Sequence, residues 1–249
     1  MDTSYTFDAA RTAEELIQWV KDYFEQAGPA STAILGMSGG KDSTVAAAIL
    51  CKALGPDRVI GVSMPQGSQS LNDADKICDY LGMKMYTVNI GKACDGLLEA
   101  IEDAGEELTK ASIMNIPPRV RMTTLYAIGQ TNNSRVVNTC NLSEDYIGYA
   151  TKFGDGAGDF SVFANLTVTE VLAIGDYLGV PYAWVHKTPD DGLPHSCPDE
   201  EKIGFTYAEL DRYIRTGEID DPEKKANIDS RHEKNLFKLE LMPSFKPEL

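Results

Sequence analysis

The sequence predicts an α/β fold, a doubly wound parallel sheet flanked by helices, and three observations support this prediction. Short apolar runs rich in β-branched residues alternate with longer amphipathic runs, which is typical of βαβ units. The chain has 249 residues, of which 43% are hydrophobic, enough for one domain with a continuous core. A turn rich in glycine and serine joins the first apolar run to an amphipathic one. We therefore interpret residues 1–249 as a single domain with a helical C-terminal extension.

The segment that follows Thr12 is predicted to be the first helix, because apolar residues recur at helical spacing as far as Phe24. Thr12 and Glu15 have the spacing of a capping box, which places the start of the helix at this point. Gly28 followed by Pro29 ends the helix, since both residues are poor helix formers. The next apolar run is then the first strand of the sheet.

Four apolar runs predict the strands, and each is short enough for a buried strand of a parallel sheet. The predicted strands are 32–37, 58–64, 84–90 and 135–139. Amphipathic spacing predicts helices at 43–54, at 70–82, from about 92, at 118–131 and at 166–178. The C-terminal part is predicted to contain a long polar loop at 186–202 and two helices, at 206–215 and 221–236.

The charge balance restricts the partners of the chain. There are 23 Lys and Arg residues against 38 Asp and Glu residues, a formal net charge of −15. This charge argues against nucleic acid and anionic membranes as partners, because both attract basic surfaces. The N-terminus has no signal-peptide pattern, and no apolar stretch approaches the roughly 18 residues of a membrane span. The five cysteines include no CxxC pair, which favours reduced thiols and a cytoplasmic location.

Residues 36–43, GMSGGKDS, are the strongest candidate for a phosphate site. A predicted strand leads into this turn and a predicted helix follows, so main-chain N–H groups at the helix start point toward a ligand. Ser38 and Ser43 supply hydroxyls, while Lys41 supplies a cation and Asp42 could hold Mg²⁺. An ordinary βα turn with a Ser or Asp helix cap is the alternative interpretation of the glycines alone. The candidate ATP-binding residues here are Gly36, Met37, Ser38, Gly39, Gly40, Lys41, Asp42 and Ser43.

The string SGGKDS after a strand resembles the pyrophosphate-binding loop of the N-type ATP pyrophosphatases, which cleave ATP between the α and β phosphates. Further segments resemble successive motifs of ammonia-dependent NAD synthetase, in the same order and with compatible spacing. They are PPRVRMTTLY at 117–126, NTCNLSED at 138–145, TKFGDGAGDF at 151–160 and the stretch from HKTP to RTG at 186–217. The resemblance covers about residues 10–240 and implies a Rossmann-like, adenine nucleotide alpha hydrolase-like fold.

This resemblance implies roles for residues that would otherwise be assigned to ordinary structure. Taken alone, Arg119 is a solvated helix cation and Glu144 is a carboxylate at a helix start. By resemblance, Asp42 and Glu144 are Mg²⁺ ligands and, together with Asp159, catalytic residues. Thr139 is an implied contact of ATP. The implied contacts of nicotinic acid adenine dinucleotide are Arg119, Lys152, Asp159, Phe237 and Lys238.

Two positions near the implied ATP site depart from the family pattern. Val168 stands where the family commonly has a lysine that reaches ATP, and a valine cannot replace a cation. Lys187 is the hypothetical replacement, and it is therefore an ATP-binding candidate. Asp190 stands where a small hydroxyl residue is usual, and an extra carboxylate beside phosphates is unfavourable without a compensating cation.

The C-terminal substrate contacts have two alternative alignments. In the first, Phe237 and Lys238 occupy the places of a His-Lys pair of the family, so that the lysine is kept and the histidine is not. In the second, His232 and Lys234 supply the pair.

The implied reaction is an ATP- and Mg²⁺-dependent amidation, the last step of NAD biosynthesis. The nicotinate carboxylate attacks the α-phosphorus of ATP and expels pyrophosphate, and ammonia then displaces AMP. Asp159 is expected to orient either ammonia or the nicotinate end. The chain has no room for the amidohydrolase domain of glutamine-dependent enzymes, so free ammonia is the expected nitrogen source. The family also implies a homodimer.

Three other interpretations remain open at the level of sequence. The first is another N-type ATP pyrophosphatase that amidates or thiolates a different acceptor. The second is a nucleotide-binding module without catalysis, for which Val168 and Asp190 are the motivating residues. The third is a structural α/β protein in which the glycine turn is a coincidence.

Overall fold

The computed structural model describes residues 5–69, 72–187 and 199–247. In these ranges the strands are β1 (Thr32–Gly36), β2 (Val59–Ser63), β3 (Lys84–Thr87), β4 (Ser134–Asn138) and β5 (Phe160–Ser161). They form one sheet in the order β3-β2-β1-β4-β5, and all neighbouring strands run parallel. The predicted doubly wound parallel sheet is confirmed. The two-residue edge strand β5 is an addition that the sequence pattern does not predict.

Helices flank this sheet and form the C-terminal extension. As far as β4 they are α1 (Ala9–Ala27), α2 (Lys41–Leu54), a 3₁₀ turn (Pro56–Arg58), α3 (Asn72–Leu81), α4 (Gly91–Asp103), α5 (Lys110–Met114) and α6 (Ile116–Thr131). After β4 they are α7 (Leu142–Tyr146), α8 (Val168–Tyr177), α9 (Tyr182–Val185), α10 (Asp199–Ile203), α11 (Tyr207–Thr216) and α12 (Pro222–Leu239). The prediction of a polar loop at 186–202 is wrong in its last part, because helix α10 begins at Asp199. Residues 188–198 of that loop are outside the described residues.

The first helix begins earlier than predicted, and the predicted capping box is wrong. The Asp8 side chain caps α1 by accepting a hydrogen bond from the Arg11 amide at 3.0 Å. The Thr12 amide is already inside the helix, where it donates to the Asp8 carbonyl at 3.0 Å. Helix α1 therefore starts at Ala9, and Ala13 lies on its buried face with Ile17, Val20 and Phe24.

The third strand is shorter than predicted and ends at Thr87. Its neighbour β2 ends at Ser63, two residues before Pro65. Proline has no N–H to donate, so the regular ladder cannot continue along this segment. Two further backbone hydrogen bonds follow, from the Val88 amide to the Ser63 carbonyl at 2.8 Å and from the Ile90 amide to the Pro65 carbonyl at 2.9 Å.

The strand order reverses between β1 and β4. Strand β1 pairs with β2 on one side and with β4 on the other, and Ile34 lies opposite both Ile60 and Val136. In a doubly wound sheet this reversal is the point where ligands bind, outside the carboxyl ends of the strands. The segments that follow Gly36 and Asn138 therefore open into one crevice.

The sheet separates two apolar layers. Because successive side chains of a strand point to opposite faces, Leu35 joins the layer that contains Phe24 of α1, while Ile34 joins the layer that contains Ile116 of α6. Strand β2 is buried over all five of its residues, as expected for an inner strand with helices on both faces.

The C-terminal extension has an apolar cluster of its own. Leu210 of α11 and Ile228 of α12 are fully buried there, together with Ile147 and Val168 from the main domain. This cluster fixes the extension to the sheet domain on the side of α7 and α8. Among the described residues, every helix is too short or too polar to cross a membrane.

Candidate active site

The predicted phosphate loop lies at the reversal point of the sheet. Strand β1 ends at Gly36, and α2 begins at Lys41 with Gly40 as its N-cap, which offers no side chain to the first amides of the helix. Gly39 has a φ of +79°, and a Cβ there would lie 3.2 Å from the Cβ of Asp73. A left-handed turn packed this closely requires glycine. The amides at the start of the 14-residue helix α2 thus remain available to an anion.

Serine hydroxyls and one buried side chain hold this loop in shape. The Ser43 hydroxyl donates to the Gly40 carbonyl at 3.1 Å, and the two oxygens Ser38 Oγ and Ser43 Oγ are 3.2 Å apart. The Met37 side chain is buried in the core, so this residue presents its backbone rather than its side chain to the crevice.

Two carboxylates meet one lysine beside the loop. The ammonium Nζ of Lys41 lies 2.9 Å from Asp42 Oδ2 and 3.6 Å from Glu144 Oε1. Asp42 comes from the first turn of α2, whereas Glu144 comes from the five-residue helix α7 that follows β4. Asn141 joins the two elements, because its Nδ2 donates to Asp42 Oδ1 at 3.0 Å and its Oδ1 accepts from the Glu144 amide at 3.0 Å.

The electrostatics of this cluster favour a bound cation. Burial raises the pKa of Glu144 well above its ordinary value, and the nearby charge of Asp42 raises it further. Lys41 opposes both effects but is a single positive charge shared between two carboxylates. An additional cation would therefore stabilise the ionised form of both acids.

A cleft of about 440 Å³ extends from the loop along the carboxyl ends of β1, β2 and β4. One wall is formed by α6 and another by the loop around Asp155. The lining residues include all but Gly39 and Lys41 of the predicted loop, together with Thr139 and Glu144. The cleft has the size of a small-molecule site and lies where the fold class places its ligands.

The NAD synthase family model matches residues 12–249. The chain belongs to the NAD synthase family. It is 37% identical to the NH(3)-dependent NAD(+) synthetase of Carboxydothermus hydrogenoformans, over 90% of this chain and 94% of that one. It is 34% identical to the NH(3)-dependent NAD(+) synthetase of Finegoldia magna, over 95% of this chain and 96% of that one.

Solved structures lead to the same family. The fold is similar to that of the NMN synthetase from Francisella tularensis, with a TM-score of 0.87, 30% identity and coverage of 98% of this chain and 100% of that one. It is also similar to the NH3-dependent NAD synthetase from Campylobacter jejuni, with a TM-score of 0.77, 26% identity and coverage of 97% and 100%. The family resemblance inferred from the motifs is confirmed, and the interpretation as a structural protein with a coincidental turn is wrong.

In this NAD synthase family member, Arg121 and not Arg119 lines the cleft, and the prediction that Arg119 contacts the dinucleotide stays a prediction. Arg119 is exposed, and its Nε lies 3.4 Å from the Lys152 carbonyl, outside the cleft. Arg121 lines the cleft instead, where its Nε donates to the Met64 carbonyl at 3.1 Å. Burial lowers the pKa of Arg121, so this guanidinium is poorly solvated. Residues two apart on α6 point to different sides, and the motif alone does not say which side faces the cleft.

Asp159 also lies outside the cleft of its own chain. Its Oδ2 accepts from the Val136 amide at 2.7 Å, and its Oδ1 accepts from the Tyr126 hydroxyl at 3.3 Å, so the carboxylate joins the start of β5 to β4. Asp155, four residues earlier, lines the cleft. Its carbonyl accepts from Asn138 Nδ2 at 2.9 Å, which fixes the loop to the end of β4. The role of Asp159 in binding the substrate stays a prediction.

Three of the predicted dinucleotide contacts come together beside a second cavity of about 250 Å³. Lys152 and Lys238 line it together with Asp145. The Lys152 ammonium donates to the Phe237 carbonyl and lies 5.2 Å from the centroid of the Phe237 ring. Lys238 donates to the Gly148 carbonyl at 2.7 Å, and burial lowers the pKa of its ammonium.

The alternative register at the C-terminus has a structural explanation. The His232 ring stacks on Tyr146 at a centroid distance of 3.8 Å, and its Nδ1 lies 2.9 Å from the Tyr146 carbonyl. His232 therefore packs α12 against α7, and Lys234 is exposed. The first alignment, with Phe237 and Lys238, is the one that reaches a cavity.

At position 168, where the family commonly has a lysine, this chain has a valine that belongs to the core. Val168 is 5% exposed and packs in the apolar cluster of the C-terminal extension. Lys187 pairs with Asp73, Nζ to Oδ2 at 2.6 Å, and Asp73 packs against the Gly39 turn. The lysine is thus held next to the phosphate loop. Asp190 lies outside the described residues.

The cysteines within the described residues are poor nucleophiles, because burial raises the pKa of each thiol. Burial raises the pKa of Cys51 to about 11 and that of Cys78 to about 12. Cys140 lines the cleft, yet burial raises its pKa well above the ordinary value, so its thiol is protonated at neutral pH. Cys197 is outside the described residues.

Proposed function

We propose that this chain is a ligase that forms a C–N bond between ammonia and the nicotinate carboxyl group of nicotinic acid adenine dinucleotide, at the expense of ATP. The products are NAD, AMP and pyrophosphate. The observation that carries the proposal is the meeting of Lys41, Asp42 and Glu144 beside an open helix N-terminus, in a chain of the NAD synthase family.

The reaction needs two steps because a carboxylate is a poor electrophile. In the first step a carboxylate oxygen of nicotinate bonds to the α-phosphorus of ATP, and the bond from that phosphorus to the bridging oxygen breaks with loss of pyrophosphate. In the second step the nitrogen of ammonia bonds to the acyl carbon, AMP leaves with the carboxylate oxygen, and one proton is released. Both steps depend mainly on positioning and on neutralising phosphate charge.

The loop residues bind the phosphates of ATP. The first amides of α2 donate to phosphate oxygens, and the helix dipole favours the negative charge. The hydroxyls of Ser38 and Ser43 and the ammonium of Lys41 add polar contacts on the same side. Thr139 at the end of β4 closes the other side of the cleft, and Arg121 adds a poorly solvated cation to the wall.

Asp42 and Glu144 would hold Mg²⁺. The donor set fits, because Mg²⁺ is usually bound through one or two carboxylates together with phosphate oxygens of the substrate. Across residues 5–69, 72–187 and 199–247 no group of three or more His, Cys, Asp and Glu side chains could hold a metal ion. Phosphate oxygens and water would complete the coordination. When bound, the ion would neutralise charge on the transferred adenylyl group and on the departing pyrophosphate.

The second cavity is the place we assign to part of the dinucleotide. Lys152 and Lys238 supply positive charge there, and Phe237 supplies an exposed ring for stacking.

Arg119 and Asp159 face neither cavity, and we propose that they contact a dinucleotide that spans two copies of the chain in a homodimer. Light scattering tests the dimer, and a monomer at working concentration would contradict it. We assign the enzyme to the cytoplasm.

A second acceptor follows from one comparison. The structure with the TM-score of 0.87 is an NMN synthetase, and the two chains cover each other almost completely. The same chemistry on this acceptor would amidate nicotinic acid mononucleotide to NMN. Both acids present the same carboxyl group, so the phosphate loop and the acidic pair serve either reaction.

The deciding experiment is a product assay with purified protein, ATP, Mg²⁺ and ammonium. Nicotinic acid adenine dinucleotide and nicotinic acid mononucleotide are supplied in separate tubes, and a third tube contains glutamine in place of ammonium. We expect NAD and AMP in equal amounts with the dinucleotide and ammonium. A much higher kcat/KM with the mononucleotide would select the second acceptor, and a Lys41→Ala variant, expected to be inactive on both, is the control.

A further inference from the structure

One face of α11 extends along the acidic end of the candidate active site. Tyr207, Asp211 and Arg215 are spaced four residues apart and share this face. The ring centroid of Tyr207 lies 5.8 Å from Lys41 Nζ. At the other end, Arg215 pairs with Glu170 of α8, Nη2 to Oε2 at 2.6 Å. Asp211 lies between Tyr207 and Arg215 on this face and contacts helix α7.

Asp211 joins three helices through a buried carboxylate that is 4% exposed. The Ser143 hydroxyl of α7 donates to Asp211 Oδ1 at 2.5 Å, and the Thr169 amide of α8 donates to Oδ2 at 2.8 Å. The Ser143 oxygen also accepts from the Val168 amide at 3.0 Å. Both carboxylate oxygens are therefore used, one on each neighbouring helix.

Helix α7 needs such an anchor because it has only five residues. A single helical turn has little stability of its own, so its position depends on contacts with its surroundings. Asn141 fixes its start on the side of the cleft. Ser143 is fully buried against α8 and α11 and directly precedes Glu144. The anchorage of Ser143 thus sets the direction in which Glu144 points.

We propose that Asp211 is a positioning residue, which holds α7 through Ser143 so that Glu144 faces Lys41 and Asp42. This inference rests on the proposed function of the acidic pair. A carboxylate is required at position 211 because two donors approach it from different helices, and an asparagine has only one acceptor oxygen. Asp211 touches no substrate and acts only through Ser143.

The test compares Asp211→Asn with Arg215→Met, a control on the same helix face that breaks the pair with Glu170 and leaves α7 untouched. Asp211→Asn is expected to lower kcat/KM for Mg·ATP by roughly 10- to 100-fold, as for other residues that orient a metal ligand. Binding of Mn²⁺ with ATP, followed by electron paramagnetic resonance, should weaken in parallel. Arg215→Met should change both quantities by less than about twofold in the folded enzyme.

A double-mutant cycle separates positioning from general loss of structure. Ser143→Ala should reproduce the loss of kcat/KM, and the combination with Asp211→Asn should lose no more than either single variant. If Asp211→Asn does not fold, Ser143→Ala takes its place in the comparison. This variant removes the hydrogen bond between Ser143 and Asp211 and keeps the hydrogen bond from the Thr169 amide to Asp211. Tyr5→Phe, which also touches Glu170, replaces Arg215→Met under the same condition.

Two results would overturn the inference. One is a folded Asp211→Asn enzyme whose kcat/KM and Mn²⁺ binding match those of Arg215→Met. The other is a double variant in which the two losses multiply. Failure of the proposed function is distinguishable from these two results. If the wild-type enzyme prefers another acceptor, Mn²⁺ binding and kcat/KM on that acceptor can still be compared between Asp211→Asn and Arg215→Met.

Discussion

Asn141 bridges the two acidic elements of the candidate site, donating through Nδ2 to Asp42 Oδ1 at 3.0 Å while its Oδ1 caps the helix that carries Glu144. One amide side chain thus ties α2 to α7, although Asn141 and Asp42 are 99 positions apart in the sequence. Loss of the Asn141 Nδ2 would remove the hydrogen bond to α2, and loss of its Oδ1 would remove the cap of α7.

We expect Asn141→Ser to retain the cap and lose the bond to Asp42, and Asn141→Asp to retain the cap and place a like charge against Asp42. The kcat/KM for ATP should therefore fall in the order wild type, Ser, Asp, with the Asp variant lowered roughly 10- to 100-fold. Steady-state kinetics with thermal melting of each variant measures this. An Asp variant as active as wild type would contradict the bridging role.

Lys187 provides a test of how the missing family lysine is compensated. Lys187→Met should raise the KM for ATP roughly 10- to 100-fold, since a hydrogen bond to a charged group contributes about 1.5–3 kcal/mol. Lys76 is the matched control, because its Nζ also bonds Asp73, at 3.3 Å, but its side chain is 65% exposed. Lys76→Met should leave the KM unchanged, and equal effects of the two variants would assign the result to Asp73 rather than to Lys187.

The GDGAG turn contains a second matched pair. A Cβ at Gly158 would lie 2.8 Å from both the Cβ and the amide nitrogen of Asn138, whereas a Cβ at Gly156 would come no closer than 3.3 Å to the Thr151 carbonyl oxygen. Gly158→Ala should therefore reduce the free energy of unfolding by about 1–3 kcal/mol, because it forces the loop away from β4. Urea denaturation of both variants checks this, and Gly156→Ala is expected to be the milder change.

The buried pair of Glu170 with Arg215 predicts a pH dependence of stability. Burial alone would raise the pKa of Glu170, but hydrogen bonds from Arg215, Tyr5 and the Thr167 amide outweigh it and lower the pKa below its ordinary value. A carboxyl group whose pKa is lowered by folding stabilises the protein above its unfolded pKa. That contribution is lost as the pH falls through the lowered value.

We therefore expect Glu170→Gln to cost about 3 kcal/mol at neutral pH, at the lower end for breaking a buried pair, because the Arg215 side chain remains 25% exposed. The cost should shrink as the pH falls below the ordinary glutamate pKa. Denaturant titrations at a series of pH values measure the difference between variant and wild type. A difference that stays constant down to the acid limit would show that the charge of Glu170 contributes nothing.

Periodicity and motif order were sufficient to predict the sheet and the phosphate loop, because both depend on local patterns. The apolar run before GMSGGKDS and the helix after it are recognisable from spacing alone, and Thr139 follows from the end of a predicted strand. The family motif also led to Glu144, although apolar spacing did not predict the bounds of its helix. Five residues are too few for a helical period to be visible.

The residues that sequence reasoning missed owe their positions to tertiary packing. Arg121 rather than Arg119 lines the cleft because of the rotation of α6 about its axis, which no pattern in the helix defines. Asn141 lies inside the motif NTCNLSED and could have been proposed as a helix cap from its spacing to Glu144. Asp211 gives no such signal, since its partners lie on helices that are 68 and 42 residues away.

The adjacency of β1 and β4 in the sheet has a consequence for how activity is acquired. The phosphate loop belongs to the first half of the chain and the acidic helix to the second, so a nascent or refolding chain can complete its local helices long before these halves meet. Loop closure over so many residues is slow compared with helix formation. After dilution from denaturant, recovery of turnover should therefore lag behind recovery of the far-ultraviolet circular dichroism signal.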